Sequence, residues 1–132
     1  MNLGTREVWD PELRENIPSV LVEYSPNGQD RTQMLLDSID KYKGKWIDVF
    51  ARTRNSDTRG VLQLILRDRT TGDILSEFFE DEIDMWRDNS AGQKASYGFY
   101  RGRDESLSLK DESLLLHEIC IAKGAGRCSR GL

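Results

Sequence analysis

Apolar residues along this chain come in short runs that repeat at every second position, each closed by Gly, Asn, Asp, Ser or Pro. The clearest alternation lies at residues 45–54, where Ile47, Val49 and Ala51 interleave with Asp48, Phe50, Arg52 and Arg54. Successive side chains of an extended strand point to opposite faces, so this segment predicts a strand with its charged residues on one face. Asn55-Ser56-Asp57-Thr58-Arg59-Gly60 supplies a turn. Leu62, Leu64 and Leu66 then face inward from a second strand, with Gln63 and Arg67 outward. The pair is a predicted hairpin whose loop is longer than the tight two-residue kind.

The same reading places a strand over Ser19-Val20-Leu21-Val22-Glu23-Tyr24, closed by Ser25-Pro26-Asn27-Gly28. Another follows the turn Arg69-Thr70-Thr71-Gly72-Asp73, at Ile74-Leu75-Ser76-Glu77-Phe78-Phe79. The acidic Glu80-Asp81-Glu82 is expected to interrupt it, leaving residues 83–87 as a short strand of their own. At residues 31–42 two patterns compete. Met34, Leu35, Ile39 and Tyr42 fit helical spacing, whereas residues 32–36 suit a strand, and strand followed by loop is preferred. Further strands are expected at residues 95–101, where the interior Gly98 marks a bulge or a close approach, and at about 113–123, where Leu115, His117, Ile119 and Ile121 share a face. Residues 1–16 read as a polar lead and 124–132 as a frayed tail. Seven or eight short strands without a long helix predict a single all-β domain over residues 1–132, an antiparallel β-sandwich.

Composition narrows the function more than the fold. A chain of 132 residues can bury one continuous core without needing a second domain. Its net charge of −4, with both signs interspersed, provides no field to attract a polyanion, which argues against nucleic acid as a partner. No basic start followed by an apolar stretch is visible, so no signal peptide is read. No run approaches the roughly 20 apolar residues of a membrane helix, so no membrane partner is expected. Cys120 sits in an apolar alternating run and Cys128 in a Gly/Arg/Ser-rich tail, so no disulfide framework is predicted and Cys120 is read as a small buried hydrophobe. With His117 the sole histidine, no Cys/His zinc site is expected. Its phase with Ile119 and Ile121 points to a hydrogen-bonded histidine near the core rather than a proton shuttle. No motif implies a cofactor.

Four segments in order carry a family resemblance: Lys43-Gly44-Lys45-Trp46-Ile47-Asp48-Val49, Gly60-Val61-Leu62-Gln63-Leu64-Ile65-Leu66, Tyr97-Gly98-Phe99-Tyr100-Arg101 and His117-Glu118-Ile119-Cys120-Ile121-Ala122-Lys123-Gly124. Their order and spacing resemble the concanavalin A-like jelly roll of heparin-lyase-like, glucuronan-lyase-like and alginate-lyase-like polysaccharide lyases, over about residues 43–124. The resemblance implies a jelly-roll sandwich, or a truncated form of it, with one sheet face meeting a uronate-containing glycan. In the family pattern Tyr-x-Lys-x-Gly-x-Tyr, Gly98 and Tyr100 match, while Lys94 and Ser96 stand where the Tyr and Lys are expected. His117 stands where an Asp often precedes the closing run.

No catalytic residue and no metal ligand is therefore assigned. The leading expectation is a non-catalytic module binding an oligosaccharide or polysaccharide, or a protein partner, through Arg52, Arg54, Gln63, Lys94 and Tyr100. The alternative is a lyase. β-Elimination needs a base, an acid and a group that neutralises the uronate carboxylate, and Tyr100 with Arg52, Arg54 or Lys94 would fill those roles. Against both stand plainer readings: Tyr100 as a packing aromatic, Arg52 and Arg54 as a solvated strand face, and Trp46 in the core. Trp86, beside a loop, reads as the exposed aromatic. Glu77, Glu80, Asp81, Glu82 and Asp84 read as an acidic edge that deters aggregation rather than a glycosidase pair or a calcium site. A half-sized jelly roll leaves edges that a second copy can cover, so a homodimer is expected.

Overall fold

The computed structural model describes residues 2–25, 30, 32–86, 115–124 and 126. The chain divides into two compact units, Met1–Ala91 and Gly92–Leu132. The first holds β1 (Asn2–Asp10), β2 (Glu15–Tyr24), β3 (Thr32–Ser38), a single 3-10 turn (Ile39–Lys41), β4 (Ile47–Arg54), β5 (Gly60–Asp68) and β6 (Ile74–Ile83). They form two three-stranded antiparallel sheets, ordered β1-β2-β3 and β4-β5-β6. The architecture is all-β, an antiparallel β-sandwich. Among the described residues each sheet is a meander whose strands follow chain order, and no helix is long and apolar enough to cross a membrane.

The core explains why the two central strands are the most apolar. Alternate residues of β2 (Val20, Val22, Tyr24) and β5 (Leu62, Leu64, Leu66) meet in one cluster with Phe78 of β6, Tyr42 and Met85. Leu62 and Val22 are fully buried. Tyr24 and Phe78 bring rings from the two sheets to 5.8 Å between centroids, tilted by 49°. Tyr42 adds a polar tie. Ser76 gives its hydroxyl proton to the Leu75 carbonyl, so the 2.6 Å contact to Ser76 Oγ is donated by the Tyr42 hydroxyl.

The hairpins of β4-β5 and β5-β6 occur as the alternation predicts, and the ambiguous segment at residues 31–42 resolves as strand and then a short turn. Ser38 caps that turn, its hydroxyl accepting from the Asp40 amide. Several expectations are overturned. The polar lead at residues 1–16 is β1, a four-residue turn and the start of β2. Asp10 organises the turn: its carboxylate accepts from the amides of Glu12 and Leu13 at 2.8 and 3.0 Å, and its carbonyl accepts from Arg14.

The acidic run does not interrupt β6. The register passes from Val61↔Asp81 to Gly60↔Ile83, and the skipped Glu82 takes a left-handed φ of 55°, so a bulge absorbs the irregularity while pairing continues. Residues 83–87 consequently form no strand of their own within the described part, since Ile83 ends β6 and residues 84–86 lie outside any strand. Trp46 is 52% exposed rather than core. It precedes an edge strand that nothing among the described residues covers.

Gly92–Leu132 corrects three more. Residues 115–123 form no strand, and Leu115, Ile119 and Ile121 are exposed; among the described residues no strand pairs with them, and alternation alone does not make a strand. His117 is consequently exposed beside Glu118 at 3.8 Å, not held near a core. Cys120 is disulfide-bonded and exposed rather than a buried thiol. The sequence contains one other cysteine, Cys128. The expected turn at residues 26–28 and strand at 95–101 lie outside the described residues.

Candidate functional site

The solvent-facing side of β4-β5-β6 is the face that alternation assigned to polar residues. Because Leu62, Leu64 and Leu66 turn inward, Gln63 and Ile65 must turn outward. The register then sets their neighbours: Arg52 pairs with Gln63 and Gln63 with Phe79, while Phe50 pairs with Ile65 and Ile65 with Glu77. Residues directly opposite in an antiparallel pair share a face. Arg52, Gln63 and Phe79 therefore form one row across the sheet, and Phe50, Ile65 and Glu77 the next. Arg54, two residues from Arg52, lies on the same face roughly 7 Å along the strand.

Phe50 and Phe79 are 50% and 52% exposed, and Arg52 and Arg54 are exposed as well. Phenylalanines half in water on a sheet face bury only part of their surface. They leave flat apolar surface beside two guanidinium groups and an amide, a combination able to stack on a ring and bind carboxylate or hydroxyl oxygens. Arg54 is held in place: its Nε donates to the Arg59 carbonyl at 2.5 Å, and the Arg59 amide donates to Ser56 Oγ at 3.2 Å. The hairpin loop thus orients one cation of the pair. Arg52 has no hydrogen-bond or ion-pair partner among the described residues.

The face is not uniformly basic. Asp48 on β4 lies 4.0 Å from Arg69, and Glu77 and Asp81 line the β6 side. The cationic strip runs along β4 and the acidic one along β6. At the start of β4 a buried anchor sets the sheet: Asp68 accepts from the amides of Thr70 and Thr71 and lies 3.8 Å from Lys45 Nζ, while the Arg69 amide donates to the Trp46 carbonyl.

Of the five residues expected to bind a ligand, the structure brings Arg52, Arg54 and Gln63 onto one face, and Lys94 and Tyr100 lie outside the described residues. Sequence reasoning missed Phe50 and Phe79 as site residues. Both were legible in principle as large apolar residues out of phase with the inward set. Trp86, expected to be exposed, is half-buried. Among the described residues no three His, Cys, Asp or Glu side chains gather as a metal site.

Fold and surface together define an all-β sandwich with a mixed aromatic and cationic sheet face. Comparison with protein-family models, curated proteins and solved structures finds no match for the chain.

Proposed function

We propose that the chain is a non-catalytic β-sandwich module that binds an acidic oligosaccharide or polysaccharide on the outer face of β4-β5-β6. The observation that supports this reading is the in-register pairing of Arg52 with Gln63, with Arg54 on the same strand face and half-exposed Phe50 and Phe79 alongside. Carboxylate or sulfate groups would meet the guanidinium pair along β4, while pyranose faces would lie on the phenylalanines. Titration calorimetry with alginate, glucuronan and heparin oligosaccharides tests it. Binding should weaken as salt rises, and Arg52→Ala with Arg54→Ala should reduce affinity about tenfold or more, in keeping with the loss of charge-assisted bonds. Failure of every uronate and sulfated glycan to bind removes the proposal. As a non-catalytic module it should also leave the ultraviolet absorbance of all three polymers flat, with no unsaturated uronate formed.

A second reading, pairing of two copies, rests on β4. This edge strand exposes Val49 by 52% on the side that faces the core elsewhere in the sheet, and Phe50 on the other. An edge strand that exposes Val49 on one face, and Phe50 beside its charged residues on the other, suits burial against an identical edge. Sedimentation velocity at micromolar concentration should show a dimer that Val49→Asp dissociates. A wild-type monomer at that concentration rules this reading out.

A further inference from the structure

The other edge of the β4-β5-β6 sheet has the opposite character. β6 pairs only with β5, and β3 pairs only with β2, so among the described residues each has one side of its backbone without a ladder partner. The two strands approach one another, and an open groove of about 500 Å³ lies between them. Its floor is apolar, made by Leu36, Leu75 and Phe78, which also pack on the core. Its rim is acidic. Glu77 and Glu80 form no ion pair among the described residues, and the single lining cation, Lys41, is engaged with Asp37.

We propose that the groove between β3 and β6 binds an extended polypeptide segment in which apolar residues alternate with lysine or arginine, added as a further strand beside β6. The occupant follows from three features. An unpaired strand edge offers amide and carbonyl groups at the repeat of another extended chain, which peptide backbone matches. A strand added there sends alternate side chains to opposite faces: one set lies over Phe78 and Leu36, and the other reaches Glu77. Two free carboxylates favour a basic segment and disfavour a second copy of this chain, because β6 would then bring Glu77, Glu80, Asp81 and Glu82 against their own kind. This site adjoins the glycan face at Glu77 and Phe79 but does not use the Arg52 and Arg54 cations on which that reading rests, so either can fail alone.

The test uses the full chain and a fluorescently labelled ten-residue peptide of alternating lysine and valine. Anisotropy should show saturable binding that weakens at high salt, and hydrogen exchange should slow at the amides of residues 74–80. A peptide of the same sequence, N-methylated on the amides of one strand edge and then in a second version on the other, should lose affinity at least tenfold in one of the two versions. Glu77→Gln with Glu80→Gln should weaken binding about tenfold while circular dichroism stays unchanged. Equal affinity of both methylated peptides overturns strand addition, even if the substituted protein fails to fold. Protection confined to β1 or β4, a groove closed by self-association, or no saturation at millimolar peptide overturns it as well.

Discussion

At the scale of single residues, the tightest constraint is a hydrogen atom. Gly60 lies at the bulge between β5 and β6, and a Cβ there would stand 2.2 Å from the Ile83 carbonyl oxygen and 3.0 Å from Met85. Backbone cannot move aside as a flexible side chain can. Gly60→Ala should therefore destabilise the protein by about 1–3 kcal/mol or more, read from urea denaturation, against little change for the unobstructed Gly4→Ala. Asp68 is the second sensitive position, being 6% exposed with the amides of Thr70 and Thr71 as its donors. Asp68→Ala strands those donors and should cost about 1–3 kcal/mol. Tyr24 makes a pH prediction. Burial, then the nearby Glu80 carboxylate, raise its pKa above the ordinary 10.0, with a hydrogen bond from Thr32 opposing them. A folded pKa above the unfolded one means stability is full below about pH 10 and is lost as pH climbs through the folded value. Alkaline denaturation should show that fall, and Tyr24→Phe should remove the tyrosine's share of it.

At the scale of elements, the β1-β2 ribbon divides into two parts. β3 pairs with β2 only from Ser19 onward, so Glu7, Val8, Trp9 and Asp10 face Pro18, Ile17, Asn16 and Glu15 with no third strand beside them among the described residues. Pro18 has no amide to give a further strand, which suits the place where β3 pairing stops. A two-stranded ribbon is only marginally stable by itself. Amides in this ribbon should exchange faster than those of β5, and Trp9→Ala, at a residue 59% exposed, should change stability by less than about 0.5 kcal/mol. Leu64→Ala, at 1% exposure, should cost about 2–5 kcal/mol. The bulge in β6 behaves differently from either. Glu82 holds a left-handed backbone that glycine adopts without penalty, so Glu82→Gly should be neutral or stabilising, by up to about 1 kcal/mol, despite the loss of a charge.

At the scale of the molecule, the β4-β5-β6 sheet places opposite chemistries at its two edges. β4 carries Arg52 and Arg54 beside Phe50, and β6 carries Glu77, Glu80, Asp81 and Glu82. A chain with a formal charge of only −4 can therefore present two local fields of opposite sign, which the total conceals. The disulfide at Cys120 yields a simple check: the unfolded, unreduced protein should show no reaction with a thiol reagent, and two reactive thiols should appear after reduction.

Much of this was written into the order of residues. Period-two alternation with Leu62, Leu64 and Leu66 in phase was enough to orient β5, and it put Arg52, Arg54 and Gln63 on the outward side before any contact was known. The turn at Gly72, with φ of 81°, was equally legible, because glycine alone enters that region without strain. Alternation could not say which strands lie at an edge. That depends on what else pairs, so Trp46 and His117 were expected in or near the core and are exposed. β1 went unseen for the converse reason. Asn2–Asp10 has too few apolar residues to announce a strand, and its hydrogen bonds to β2 hold it in place. Local chemistry along the chain determined which way side chains point within a strand, because the two-residue repeat is a property of the backbone. Which strands have neighbours, and hence which faces and edges remain open to a ligand, was decided only when distant segments met.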